Sequence, residues 1–338
     1  MKHPPREPVP VTVISGFLGA GKTTLLRHIL SQPQGRRFGV LVNDFGEINI
    51  DAALIVETAG DQISLSNGCV CCTIQDDLIE EIAALVADRP DIDGILIEAS
   101  GVSRSIPIVE AIETSKLASL VVLDGVFCVV DAAAMPELDY AAMELAIDQI
   151  TGADMLILNK VDLVAPPERD AMEQRLRGVM PSLRIVPAVE ANVPRELLFG
   201  VTRQADTKGK ITEETCSCSD HDCHHHHEHH HHGDPHAEVF ASWSWQTEDV
   251  LDEKRFRAAI RKIPPAIMRA KGILHLQGDG GQRVMEFHLV GKRSSLTPAA
   301  AALSDGNPAS TLVMIGMREA IDPQALRKTF EACLEVHA

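Results

Sequence analysis

The chain has 338 residues, 45% of them apolar, with 31 basic against 48 acidic side chains and a formal net charge of −17. That length suits two domains, and the apolar fraction supplies cores without disulfide staples. The acidic balance repels nucleic acid and anionic membrane surfaces, so neither is expected as a partner.

Residues 10–24, PVTVISGFLGAGKTT, place an apolar strand before a glycine-rich turn and a helix. The turn fits GxxxxGK[ST] at Gly16, Gly21, Lys22 and Thr23, where backbone N–H groups and the positive helix end would face phosphates. Lys22 would reach the β- and γ-phosphates, and the Thr23 hydroxyl would face Mg²⁺. The N-terminal MKHPPREPVP has no signal-like apolar run, and Asp124 interrupts the longest later candidate short of about 18 residues. A cytoplasmic protein without a membrane span is therefore expected.

Residues 38–43 read as a second strand, followed by a polar loop, DFGEINID, that is a candidate switch. A short strand at 62–66 ends at Asn67-Gly68, and Thr73 is placed to cap a helix beginning at Ile74. The runs 94–98, 126–131 and 155–159 are near-continuously apolar and separated by helical patterns, as in a buried parallel sheet. A helix at 167–179 and a strand at 183–189 complete an α/β domain over 1–200. Residues 201–237 lose periodicity and hold ten of the fifteen histidines, which reads as a flexible His/Cys-rich linker. The smaller domain, 238–338, shows strands at 238–245, 272–277, 284–290 and 311–316, with helices at 252–262 and from Pro323, an α+β pattern. Trp243 and Trp245, two apart, share a strand face and read as core.

Asn159-Lys160-Val161-Asp162 follows the strand MLIL. A carboxylate there can accept from the guanine N1–H and exocyclic amine, which favours GTP over ATP. Glu98, ending the strand ILIE, is placed to hold Mg²⁺ through water, with Gly101 allowing close approach to the γ-phosphate. Lys22, Thr23 and Glu98 are the catalytic candidates. Gly16, Gly19, Ala20, Gly21, Lys22, Thr23, Thr24, Asn159, Lys160 and Asp162 form the nucleotide-binding set.

Of eight cysteines, six fall into two clusters, which in a reducing compartment suggests metal rather than disulfides. Cys69, Cys71 and Cys72 precede a helix N-terminus, where the dipole favours thiolates, and form a soft site suited to Zn²⁺. Glu47 and Asp44 are the candidates for a fourth ligand. Cys216, Cys218, Cys223, His224 and His226 offer a secondary, weaker capture site in the linker. Cys128 and Cys333 read as buried apolar fillers.

These motifs together resemble the CobW-like GTPases, a metallochaperone family related to the nickel-inserting GTPases of urease and hydrogenase maturation. The resemblance rests on GFLGAGKTTLL at 16–26, VNDFGEINID at 42–51, SNGCVCCT at 66–73, IEASG at 97–101, NKVD at 159–162 and RAKGIL at 269–274. It implies a P-loop NTPase domain with a mainly parallel sheet, a CobW-type α+β C-terminal domain, and a metal site on Cys69, Cys71 and Cys72. It also implies GTP hydrolysis and a client metalloprotein or second subunit, a homodimer included. Where family members carry NEFGE this chain has Asp44, one methylene shorter, which makes Glu47 the stronger ligand candidate. Zinc is the first metal on thiolate softness and family precedent, with Co²⁺ for cobalamin biosynthesis as the alternative. The expected device is ordering of the 44–51 loop by GTP·Mg²⁺, with hydrolysis releasing metal to the client. A metal buffer built on the histidine tract is the competing reading.

Overall fold

The run VPVTVIS becomes β1 (Val9–Ser15), and its residues are buried on both sides because helices cover both faces of its sheet. The structure, a computed structural model, describes residues 7–31, 35–42, 63–65, 74–200, 239–299 and 310–334. Asp44, Glu47 and the 44–51 loop, Cys69, Cys71 and Cys72, and the 201–237 segment with Cys216, Cys218, Cys223, His224 and His226 lie outside the described residues.

Six more strands join β1: β2 (Phe38–Val42), β3 (Ile63–Leu65), β4 (Gly94–Glu98), β5 (Val121–Asp131), β6 (Met155–Asn159) and β7 (Arg184–Pro187). Every pairing is parallel, in the order β3-β2-β4-β1-β5-β6-β7. β2, β3 and β4 thus lie on one side of β1 and β5, β6 and β7 on the other. That makes the C-terminal end of β1 the switch point at which open α/β sheets bind ligands. The intervening helices are α1 (Lys22–Ser31), α2 (Ile74–Asp88), α3 (Ile106–Ile112), α4 (Tyr140–Gly152), α5 (Pro166–Val179) and α6 (Arg195–Phe199). Leu25, Leu26, Ile29 and Leu30 of α1 pack with Ile14, Val40 and Phe127 on one face, and Ile82 and Leu85 of α2 with Val11, Val13 and Ile95 on the other. Cys128 lies within this second core, and burial pushes its thiol up to about 12, so it stays protonated and inert.

β5 begins at Val121, before the apolar run starting at Val126 that marks it in the sequence. Val11 pairs with Leu123 and Thr12 with Gly125, so Asp124 is the extra residue of a bulge. A bulge frees Asp124 from the ladder, and its carboxylate accepts from Arg269 at 2.6 Å.

Arg269 belongs to a second sheet, made of β8 (Phe240–Thr247), β10 (Ile267–Gly278), β11 (Gly281–Val290), β12 (Arg293–Pro298) and β13 (Ser310–Met317), with the short β9 (Leu251–Asp252) beside β10. The order β12-β11-β10-β13-β8 is antiparallel throughout, and β9 pairs parallel to β10. β12 is absent from the sequence expectation because RSSLTP carries no apolar alternation; it is an edge strand hung on β11 after the Gly291 turn, φ 52°. Two helices, α7 (Glu253–Ile260) and α8 (Pro323–Glu331), cover one face and are capped by Asp252 and Asp322. Trp243 and Trp245 sit buried on that face, each 5.8 Å from the Phe330 ring, as their spacing predicts.

On the other face, Glu286 accepts from His288 Nε2 at 2.9 Å and lies 3.2 Å from Lys271 Nζ. The His288 hydrogen bond foremost, and Lys271 after it, hold the Glu286 carboxyl down at about 2. A depressed carboxylate stabilises the fold above its unfolded value of 4.5, and that contribution is lost as pH falls toward about 2. Glu286→Gln should therefore lower stability near neutral pH by on the order of 1–2 kcal/mol and leave it unchanged below about pH 2. Urea unfolding of both proteins across that range measures the difference.

The two sheets meet directly. Phe240, Met268, Val290 and Ile315 join the α1 core, and Arg184 Nε donates to the Ile267 carbonyl at 2.5 Å. Asp154, just before β6, accepts from the Val126 N–H and faces Arg293 at 3.3 Å. Burial raises its carboxyl, with Arg293 opposing. Gly291 is required there, because a Cβ would stand 1.8 Å from the Asp154 carbonyl oxygen.

Candidate nucleotide cleft

At the C-terminal end of β1 the chain turns through Gly16, Gly19 and Gly21, all with positive φ (134°, 71° and 108°), before entering α1 at Lys22. Such angles are strained for residues bearing a Cβ. Gly16 has a second reason, since a Cβ would lie 2.1 Å from the Val129 carbonyl oxygen of β5. Gly16→Ala should displace that strand end or the loop, lowering nucleotide affinity more than tenfold and the melting temperature by several degrees, about 1–3 kcal/mol. Titration with labelled nucleotide and thermal melting measure both.

The first turn of α1 holds no acidic residue of its own, so no carboxylate within the helix competes for its positive end. Lys22 is buried, its Nζ 3.2 Å from the Phe17 carbonyl, which folds the side chain back over its own loop. Thr23 Oγ1 donates to Glu98 Oε1 at 2.7 Å, joining the loop to the end of β4. Around them Leu18, Gly19, Gly21, Thr24, Val42, Ala99, Ser100 and Gly101 line an open cavity of about 290 Å³. Gly101 passes close to Leu18, whose backbone N would be 2.9 Å from an added Cβ.

The second half of the site is organised by Asn159. Its side chain is buried, donating to the Ala20 carbonyl at 2.8 Å and accepting from the Ala191 N–H at 2.7 Å. One amide thus ties the phosphate loop to the 188–192 turn, and it positions these segments rather than facing the cleft. Gly21 makes room for it, because a Cβ would meet Asn159 Nδ2 at 2.5 Å. Lys160 is left-handed (φ 59°), and the chain then enters a 3₁₀ turn (Val161–Leu163) with Asp162 exposed. Among the described residues Asp162 makes no hydrogen bond or ion pair within the protein, leaving both oxygens available to a ligand.

Three contributors were not singled out from the sequence. Asp131, at the end of β5, accepts from Lys160 Nζ at 2.7 Å and from the Ala133 and Ala134 N–H groups, which aims the lysine. Gln149 of α4 donates to the Gly101 and Ser103 carbonyls and sets the turn beyond Glu98. The 188–192 turn carries Glu190 and Ala191 at φ 50° and 55°. Only the strand-end position of Asp131 gives any signal in the sequence, since it needs the β5–β6 pairing, Asp131 opposite Asn159, to acquire a role.

The cleft can hold an anion at a helix N-terminus and offer hard oxygen donors at Thr23 and Glu98, while Asp162, exposed beyond Asn159, offers acceptor oxygens to a ligand. Among the described residues no group of three His, Cys, Asp or Glu is placed to hold a metal ion, and no helix is long and apolar enough to cross a membrane.

Residues 10–187 match the model of the CobW/HypB/UreG nucleotide-binding domain, and residues 240–334 that of the cobalamin synthesis protein CobW C-terminal domain. The chain is similar to zinc chaperone CobW of Pseudomonas aeruginosa, 36% identical over 229 residues, 59% of this chain and 61% of that protein. It is similar also to zinc-regulated GTPase metalloprotein activator 1 of Dictyostelium discoideum, 32% identical over 230 residues, 57% of this chain and 48% of that one. The matches thus span about half to three-fifths of these relatives' lengths. Among solved structures, Zn(II)-bound YjiA GTPase from E. coli aligns over 98% of this chain and 100% of that one, with 22% identity and a TM-score of 0.45. With more than half of its residues in the nucleotide-binding match, the chain belongs to the CobW/HypB/UreG family.

Proposed function

We propose that the protein is a GTP-hydrolysing metal chaperone that takes zinc at Cys69, Cys71 and Cys72, with Glu47 as fourth ligand, and hands it to a client metalloprotein. The observation that carries this reading is the joining, through Asn159, of the phosphate loop to the Lys160–Asp162 segment. It is supported by relatives named as zinc chaperones and zinc-regulated GTPases. Thr23 and Glu98 have the hard oxygen donors that suit Mg²⁺, an ion that neutralises charge developing on phosphate oxygens when bound. Lys22 would hold phosphate oxygens on leaving the Phe17 carbonyl, and the loop N–H groups would stabilise the leaving diphosphate. Asp162 would select guanine, with the Lys160 stem, steadied by Asp131, lying against the ring. Among the described lining residues there is no arginine, so slow hydrolysis is expected of the isolated chain, faster once a client or second subunit completes the site.

Coupling requires zinc affinity to differ by about 1–3 kcal/mol between GTP and GDP states. Chelator-competition titration with Zn²⁺, in GDP·Mg²⁺ and then in a non-hydrolysable GTP analogue, tests this. A shift of about tenfold at one tight site that Cys71→Ser abolishes is the expected result. Identical curves would overturn the coupling. Loss of nearly all metal binding on deleting residues 216–236 would point instead to a buffer.

A further inference from the structure

At the end of the parallel sheet opposite the phosphate loop, where the chain enters β2, two arginines gather around one ring. The guanidinium carbons of Arg36 and Arg195 lie 5.7 and 5.6 Å from the centroid of Phe199. Arg195 also donates to the Ile29 carbonyl at 3.1 Å, at the negative end of α1. Arg36 is half-buried, and among the described residues it has no hydrogen bond or ion pair.

The carboxylates near Arg36 are engaged elsewhere. Asp124 is held by Arg269 at 2.6 Å, and Asp93 by the Arg37 backbone N–H at 2.8 Å. Burial lowers the Arg36 guanidinium, Asp124 opposes that, and Arg269 adds repulsion. Arg195 is lowered by burial and then by Arg36, with Glu196 opposing. Two partly desolvated cations thus stand on one half-exposed ring, where an anion placed between them would be drawn to both.

We propose that Arg36, Arg195 and Phe199 form a docking site for a carboxylate-bearing segment of a partner protein. A free inorganic anion would use the guanidiniums alone, whereas a glutamate side chain places its methylenes on the ring and its carboxylate between the cations. Arginine and aromatic residues are the types enriched at such contact centres. In a chain of net charge −17 this patch offers an acidic segment a local pair of cations.

The test is fluorescence anisotropy of labelled hexaglutamate binding to the full chain, with GDP and Mg²⁺ present to fill the phosphate cleft. It is run at about pH 8, where unperturbed histidines are neutral. Saturable binding is expected, weakened about tenfold or more in Arg36→Ala, a loss of about 1.4 kcal/mol, several-fold in Phe199→Leu, and by salt. Arg36→Ala should melt like the parent, and Arg36→Gln, which keeps length and removes charge, is the second variant if it does not. No saturable binding, affinity in both Arg36 variants equal to that of the parent, or full displacement by equimolar inorganic phosphate would each overturn the proposal, the last by reducing the site to a small-anion site. Repeating the titration in Lys22→Ala separates this patch from the phosphate cleft, because hexaglutamate affinity should not change there.

Discussion

Asp162→Asn is expected to lower GTP affinity by about a hundredfold or more while leaving ATP affinity nearly unchanged. The carboxylate offers two acceptors to the guanine N1–H and exocyclic amine. The amide replaces one acceptor with a donor and sets donor against donor, so hydrogen bonds of about 1.5–3 kcal/mol each are lost or reversed. Xanthine carries a carbonyl where guanine carries the amine, so the variant should gain affinity for xanthosine triphosphate. Because Asp162 is exposed and its oxygens bond to no described residue, the melting temperature should hold. Calorimetric titration with the three triphosphates decides the matter, and an unchanged GTP constant would remove Asp162 from the base site.

The second large effect belongs to a residue that need not touch the ligand. Asn159→Ala removes a buried donor and a buried acceptor at once, leaving the Ala20 carbonyl and the Ala191 N–H without them. Each orphaned group costs about 1–3 kcal/mol. The turn it supports already holds Glu190 and Ala191 in the left-handed region, at about 1–2 kcal/mol each. A loss of about 2–4 kcal/mol is expected, together with loss of nucleotide binding, as both loops relax. Lys160→Ala provides the contrast. Its partly exposed pair with Asp131 should cost less than about 1 kcal/mol of stability while still weakening nucleotide binding. Equal destabilisation by the two variants, in chemical denaturation, would contradict the bridging role of Asn159.

Much of the cleft is written in local sequence because local physics determines it. Positive φ at Gly16, Gly19 and Gly21 demands glycine, and the apolar strand before and helix after them are short-range patterns. The NKVD segment is likewise local, since it directly follows a buried strand. The parallel sheet was legible too, because strands covered on both faces lose alternation and become continuous apolar runs.

What only the tertiary structure decided are relations between distant segments. The sequence names Asn159 as a nucleotide residue, but its link between Ala20 and Ala191 exists only once β6 lies beside β5 and β1. Asp131 becomes the partner of Lys160 because strand order brings two strand ends together. Asp124, which reads as an interruption of an apolar run, is a bulge residue whose meaning lies in Arg269, 145 positions away. The edge strand Arg293–Pro298 and the gathering of Arg36 and Arg195 on Phe199 have no periodic signal at all. Periodicity records which side of an element is buried; it does not record what stands opposite, and hydrogen bonds and ion pairs across sheets depend on that alone.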